Sequence, residues 1–175
     1  TTRLEFKYDR VIRTNIASKH DSSDNKVTIF VLDEDPTLLL NPYIQPISLP
    51  PEPTLFQLND ALDTNSSVLV WVQNANGDLV QRSMDMNVLL FIDCVDARPE
   101  VNVHVELCAA GDSYGGKYLY LCPHIGFGPL LVSGTNKLML IGMGIDNCIE
   151  DKPQTFIRIN GYWKWINQLL SLSDY

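Results

Sequence analysis

The sequence is short of cations. Thirteen lysines and arginines stand against 21 aspartates and glutamates, a net charge of -8 over 175 residues. With no basic surplus to neutralise phosphates, neither nucleic acid nor an anionic membrane surface is expected as a partner. Long apolar runs are missing too. The longest, residues 138–145, falls far short of the roughly 18 residues that cross a bilayer as a helix, so membrane insertion by a helix is not expected. No CxxC pair occurs: Cys94, Cys108, Cys122 and Cys148 lie 14, 14 and 26 positions apart, which excludes the usual zinc and thioredoxin-type spacings. The sequence opens at Thr1-Thr2-Arg3 with neither an initiator methionine nor an apolar signal segment. A processed start, or a start inside a longer protein, is expected from this.

Charged residues make up only 19% of the chain and hydrophobic ones 45%, which favours a buried core over disorder. The even cysteine count at wide spacing favours disulfides and an oxidising compartment, with buried free thiols as the alternative. Asn65-Ser66-Ser67 is a glycosylation sequon in a polar stretch.

Strand patterns dominate. Val27-Thr28-Ile29-Phe30-Val31-Leu32 and Val68-Leu69-Val70-Trp71-Val72 are rich in β-branched and aromatic residues, and Asn74-Ala75-Asn76-Gly77 supplies a turn into a strand near Leu79. The apolar run at residues 88–92 suits a sheet core. Residues 101–107 alternate aliphatic and polar, which predicts another strand. Residues 138–143 and 155–159 predict two more. Prolines 42, 46, 50, 51 and 53 make residues 41–54 an extended connector. Only the C-terminus reads as a helix, with Tyr162, Trp165, Ile166, Leu169 and Leu170 on one face and Asn160 as its N-cap. An all-β barrel architecture with one terminal helix is expected.

Gly111-Asp112-Ser113-Tyr114-Gly115-Gly116 has the glycines and serine of an oxyanion-hole loop, with Ser113 as candidate nucleophile; the favoured reading is an ordinary glycine-rich turn. His20 falls in a polar stretch read as a loop, and His104 on the polar face of its predicted strand. His104 and Cys108 lack further clustered ligands, so no metal is expected, and no cofactor.

A set of ordered segments resembles the trypsin-like (chymotrypsin-fold) serine proteases. Asn25-Lys26-Val27-Thr28-Ile29-Phe30-Val31-Leu32 resembles their "NDIALLKL" strand, and Tyr43-Ile44-Gln45-Pro46-Ile47-Ser48-Leu49-Pro50 their "yVqPIcLP" segment. Cys122-Pro123-His124-Ile125-Gly126-Phe127-Gly128-Pro129-Leu130 stands in place of "CxGDSGGPL", and Leu140-Ile141-Gly142-Met143 in place of "LvGi". Lys152-Pro153-Gln154-Thr155-Phe156-Ile157-Arg158-Ile159, followed by Tyr162, Trp165 and Ile166, resembles the ending "KPGVYTRV...y..WI".

The resemblance implies a double β-barrel. Residues 1–50 would form the C-terminal part of the first barrel, 51–66 the interbarrel connector, 67–159 the second barrel and 160–172 the C-terminal helix. It implies disulfides Cys94–Cys108 and Cys122–Cys148 and a secreted protein, in which the Asn65 sequon would be open to glycosylation. In its register residues 108–117 match a loop upstream of the nucleophile, so Ser113 is displaced and Gly126 holds the nucleophile position. Lys26 then stands at the catalytic aspartate, His124 at an oxyanion-hole glycine and Ile125 at the aspartate that receives the new N-terminus on activation. Tyr120 and Leu121 replace the specificity aspartate and its neighbour, and residues 144–147 are short for a substrate-binding wall.

These departures imply a non-catalytic pseudoprotease that binds a protein partner. The candidate surfaces are Tyr118, Tyr120, His124 and Phe127, and the acidic Asp33-Glu34-Asp35. A companion N-terminal polypeptide is expected to complete the first barrel. The alternatives are residual serine hydrolysis through Ser113 or groups on a missing chain, and a structural role as one half of a split assembly.

Overall fold

The computed structural model describes residues 15–33, 46–52, 66–74, 76–114, 117–119, 127–133, 138–145, 149 and 152–172. Contacts divide the chain into two compact units, Thr1–Pro46 and Ile47–Tyr175.

In the first unit, strands β1 (Ile16–Asp21) and β2 (Thr28–Leu32) form an antiparallel hairpin, with Asp21 opposite Thr28 and His20 opposite Ile29. His20, expected in a loop, is therefore in a strand, and its Nε2 lies 2.9 Å from Ser18 Oγ. The connecting loop is organised by Ser22. Its N–H donates to Val27 O at 2.8 Å, while its hydroxyl accepts from Val27 N–H and donates to Asp24. Asn25 takes the left-handed conformation at φ 57°, which asparagine tolerates better than most residues.

The second unit contains β3 (Ser66–Gln73), β4 (Leu79–Val88), helix α1 (Phe91–Ala97), β5 (Glu106–Tyr114) and β6 (Lys117–Leu119). There follow β7 (Phe127–Ser133), β8 (Leu138–Gly144), β9 (Gln154–Arg158), a 3-10 turn (Ile159–Tyr162) and helix α2 (Trp163–Leu172). The ladder runs β4-β3-β7-β8-β9-β5, and β4 pairs again with β5, closing a six-stranded antiparallel barrel; β6 continues from β5 as a hairpin. Closure removes the unpaired edges that an open sheet would expose.

Inward-facing Val68, Val70, Met86, Leu107, Ala109, Leu130, Val132, Ile141 and Phe156 fill the barrel. Full burial of a ring such as that of Phe156 is worth about 1.5–3 kcal/mol. Ser66, also buried, satisfies its hydroxyl on the carbonyl of Met86. Within the second unit, Ser48 N–H donates to Leu138 O and its carbonyl accepts from Leu140 N–H. Leu49 and Pro50 then line a small hollow with Ile159, Trp163, Ile166 and Asn167. The barrel, the separate two-stranded sheet and the terminal helix make a partial chymotrypsin-like fold.

Several local expectations are corrected. Residues 88–92 do not continue as strand, because the β4 ladder ends at Val88 opposite Ala109, with Leu89 N–H donating to Cys108 O at 2.9 Å. Beyond that point the chain satisfies its own backbone as α1, so the C-terminus is not the only helical segment. Residues 101–105 form a turn rather than a strand: Asn102 O accepts from both Val105 and Glu106 N–H, and Glu106 Oε2 accepts from Asn102 N–H. Gly111, Asp112, Ser113 and Tyr114 are strand, not turn; residues 115 and 116 lie outside the described set. Asn160 does not cap α2. It sits within the 3-10 turn, its Oδ1 buried and unpartnered, and Leu170 in the last turn of α2 is exposed although expected on the buried face.

Candidate functional site

The ladder geometry gathers several chain segments at one end of the barrel. Pro129 faces Met143 across β7–β8, and Gly144 faces Phe156 across β8–β9, so the start of β7, the end of β8 and the start of β9 are neighbours. Ala109 faces Gln154, which brings β5 to the same end as it runs on to pair with β6. The segment that resembles the nucleophile loop stands in the sequence between β6 and β7, and its residues 120–126 lie outside the described set.

Its downstream anchor is tightly defined. A Cβ at Gly128 would fall 2.5 Å from the carbonyl oxygen of Leu69, so only glycine lets β7 lie this close to β3. Val68 pairs with Leu130 and Val70 with Phe127, the register shifting between them, which is where the two backbones approach.

A second wall is built by Gln154. It is only 4% exposed. Its Nε2 donates to Ile145 O at 2.8 Å and to Thr155 O at 3.2 Å, and Ile145 N–H donates back to Thr155 O. An amide side chain thus ties the end of β8 to the start of β9, where the resembling motif carries glycine. Its Oε1 is buried without a hydrogen-bond partner. The departure from glycine at this position was the available sequence signal, and sequence reasoning missed it.

Behind that wall sits Arg98, 4% exposed. Its Nη1 donates to Pro153 O at 3.2 Å and its Nε to Glu100 Oε1 at 2.6 Å. The Glu100 carboxyl is held below the ordinary carboxylate range, first by its own backbone N–H and then by Arg98. Cys94, buried in α1, is disulfide-bonded to Cys108 in β5. Cys108 therefore offers no thiolate, and His104 is exposed in the turn before β5.

Lys26 is exposed in the β1–β2 loop of the first unit, its N–H donating to Asp24 Oδ1 at 3.2 Å. Ser113 and Tyr118 pair across β5–β6, and Phe127 opens β7; the backbone alone of these three is described. Cys122, His124, Ile125, Gly126, Tyr120, Cys148, Asn65 and the acidic residues Glu34 and Asp35 lie outside the described residues. Among the described residues no group of three or more His, Cys, Asp or Glu side chains is placed to hold a metal.

No protein-family model matches the chain. A snake venom serine protease of Crotalus durissus durissus is 24% identical over 158 residues, 87% of this chain. The chain is thus similar, at a distance, to a serine protease. It spans 56% of that relative's length. No helix among the described residues of the chain is long and apolar enough to cross a membrane.

Proposed function

We propose that this chain is a secreted, non-catalytic member of the trypsin-like group that acts by binding a protein partner. The observation that carries this reading is Gly126, which stands where the resembling motif has its serine nucleophile. Glycine has no side-chain oxygen to attack a carbonyl. Lys26 puts a cation where a carboxylate must stabilise imidazolium, and His124 adds a ring where backbone N–H groups need close approach. With nucleophile, orienting acid and oxyanion hole all altered, what remains is a rigid barrel presenting loops. The cleft around Tyr118, Tyr120, His124 and Phe127 is the surface this reading favours. The similarity to a venom protease and the Cys94–Cys108 disulfide support secretion into an oxidising environment.

The first barrel is completed by a further polypeptide segment in this proposal. Among the described residues the β1–β2 hairpin has no third strand, and Ile16, Phe30 and Leu32 are 56%, 51% and 44% exposed. An isolated hairpin is marginal in water, so a companion strand has both edge and apolar surface to cover.

A serine-directed fluorophosphonate probe, applied to protein from its natural source, tests the reading. The expected result is no labelling, and none after Gly126→Ser alone. Stoichiometric labelling of Ser113 or any other serine of this chain would overturn it. Native mass spectrometry of the same material is expected to show a mass above that of the chain.

A further inference from the structure

Residues 83–97 contain no lysine or arginine and three aspartates, Asp85, Asp93 and Asp96. At the end of β4, Leu89 turns inward and joins Cys94, Cys108 and Ala110 in a small buried cluster. The next three residues face outward. Leu90, Phe91 and Ile92 are 44%, 46% and 50% exposed, three large apolar side chains in succession at the start of α1. Scattered exposed apolar residues need no explanation, whereas a contiguous group of this kind marks a contact surface.

The ridge is held in place from below. Cys94 N–H donates to Leu90 O at 2.9 Å, and Arg98 N–H closes α1 on Cys94 O at 2.8 Å. The Cys94–Cys108 disulfide pins the helix to β5, and Arg98 pins its C-terminus to Pro153 at the head of β9. A surface fixed in this way loses little conformational freedom when a partner docks.

We infer that Leu90, Phe91 and Ile92, rimmed by Asp93 and Asp96, form a docking surface for a basic amphipathic segment of a partner protein. Asp93 and Asp96 are exposed. Helical spacing places Asp96 beside both Asp93 and Ile92, so the carboxylates border the apolar ridge. Apolar side chains of the partner meet the ridge, and its lysines or arginines meet the rim. An acidic partner is repelled by the same rim. That argument also disfavours a second copy of this chain, which would bring identical aspartates and a net charge of -8. The surface shares no residue with the altered cleft and does not depend on whether the chain is catalytic.

The test titrates isotope-labelled protein with a helical peptide of leucine and lysine, and with its leucine and glutamate counterpart, following amide shifts. The expected result is saturable perturbation centred on residues 90–96 with the lysine peptide alone. Phe91→Ser and Ile92→Ser should each weaken it about tenfold or more. Asp93→Lys with Asp96→Lys should remove its salt dependence and admit the glutamate peptide. Unchanged far-UV spectra and an intact Cys94–Cys108 bond are read alongside, and the aspartate variant leaves the apolar ridge whole should either serine variant fold poorly. Perturbation spread over the acidic surface at large, or indifferent to all these variants, overturns the proposal. So does a dimer in sedimentation that Phe91→Ser dissolves, or equal binding of zwitterionic vesicles. Fluorophosphonate labelling would sink the non-catalytic reading and leave this one standing.

Discussion

Gly128 and Leu69 touch through backbone: a Cβ on Gly128 would lie 2.5 Å from the Leu69 carbonyl oxygen. The obstacle is main chain on a paired strand and cannot swing aside. Gly128→Ala is therefore expected to destabilise the barrel by about 1–3 kcal/mol through overpacking. Urea unfolding checks it, and an unchanged midpoint would show that β7 can shift off β3 freely.

Gln154 is a buried amide with two donated hydrogen bonds and one orphaned oxygen. Replacing it by methionine removes the orphan and keeps most of the volume. Gln154→Gly instead leaves a void at the junction of β8 and β9. The glycine variant is expected to be the less stable of the two, by about 2 kcal/mol or more. Both variants lose the hydrogen bond to Ile145 O, so a methionine variant that unfolds first would mean that its side chain does not fit the space Gln154 fills.

Arg98 and Glu100 give a pH signature. In the folded state the Glu100 carboxyl is depressed, by its own N–H and by Arg98. Its contribution is thus present above the unfolded-state value and lost as pH falls through the lower folded value. The stability difference between the native chain and Glu100→Gln, measured by urea unfolding across that acid range, should shrink towards zero as pH drops. Glu100 is exposed while Arg98 is buried, so Arg98→Ala should cost more at neutral pH, about 1–3 kcal/mol, by leaving the Pro153 carbonyl short of a donor. A difference that persists undiminished at low pH would place the stabilisation elsewhere.

The bond between Cys94 and Cys108 closes a loop of sequence separation 14. Its removal by Cys94→Ala with Cys108→Ala is expected to cost about 3 kcal/mol, chiefly by freeing the unfolded chain. Thermal unfolding checks the size, and non-reducing peptide mapping checks the pairing.

Strands β3, β8 and β9 were legible because alternating or continuous β-branched residues have few other ways to be buried. Helix α1 was not. A short apolar run has the same periodicity in a buried strand and a buried helix turn, and only the end of the β4–β5 ladder separates them here. The alternation at residues 101–107 misled for a related reason: Asn102 captures backbone donors locally and diverts the chain into a turn before β5 begins.

The sequence by itself determined the acidic balance, the β-rich character and the glycine at 126, since these are properties of residue identity. It also determined the order of segments that resembles the serine proteases. Tertiary structure decided which strands meet. Closure of β4 on β5, the joining of Cys94 to Cys108, the reach of Gln154 across to Ile145 and the outward turn of Leu90, Phe91 and Ile92 all depend on partners far away in sequence. Hydrogen-bond satisfaction and burial are settled by those partners, and no local pattern encodes where a distant carbonyl will stand.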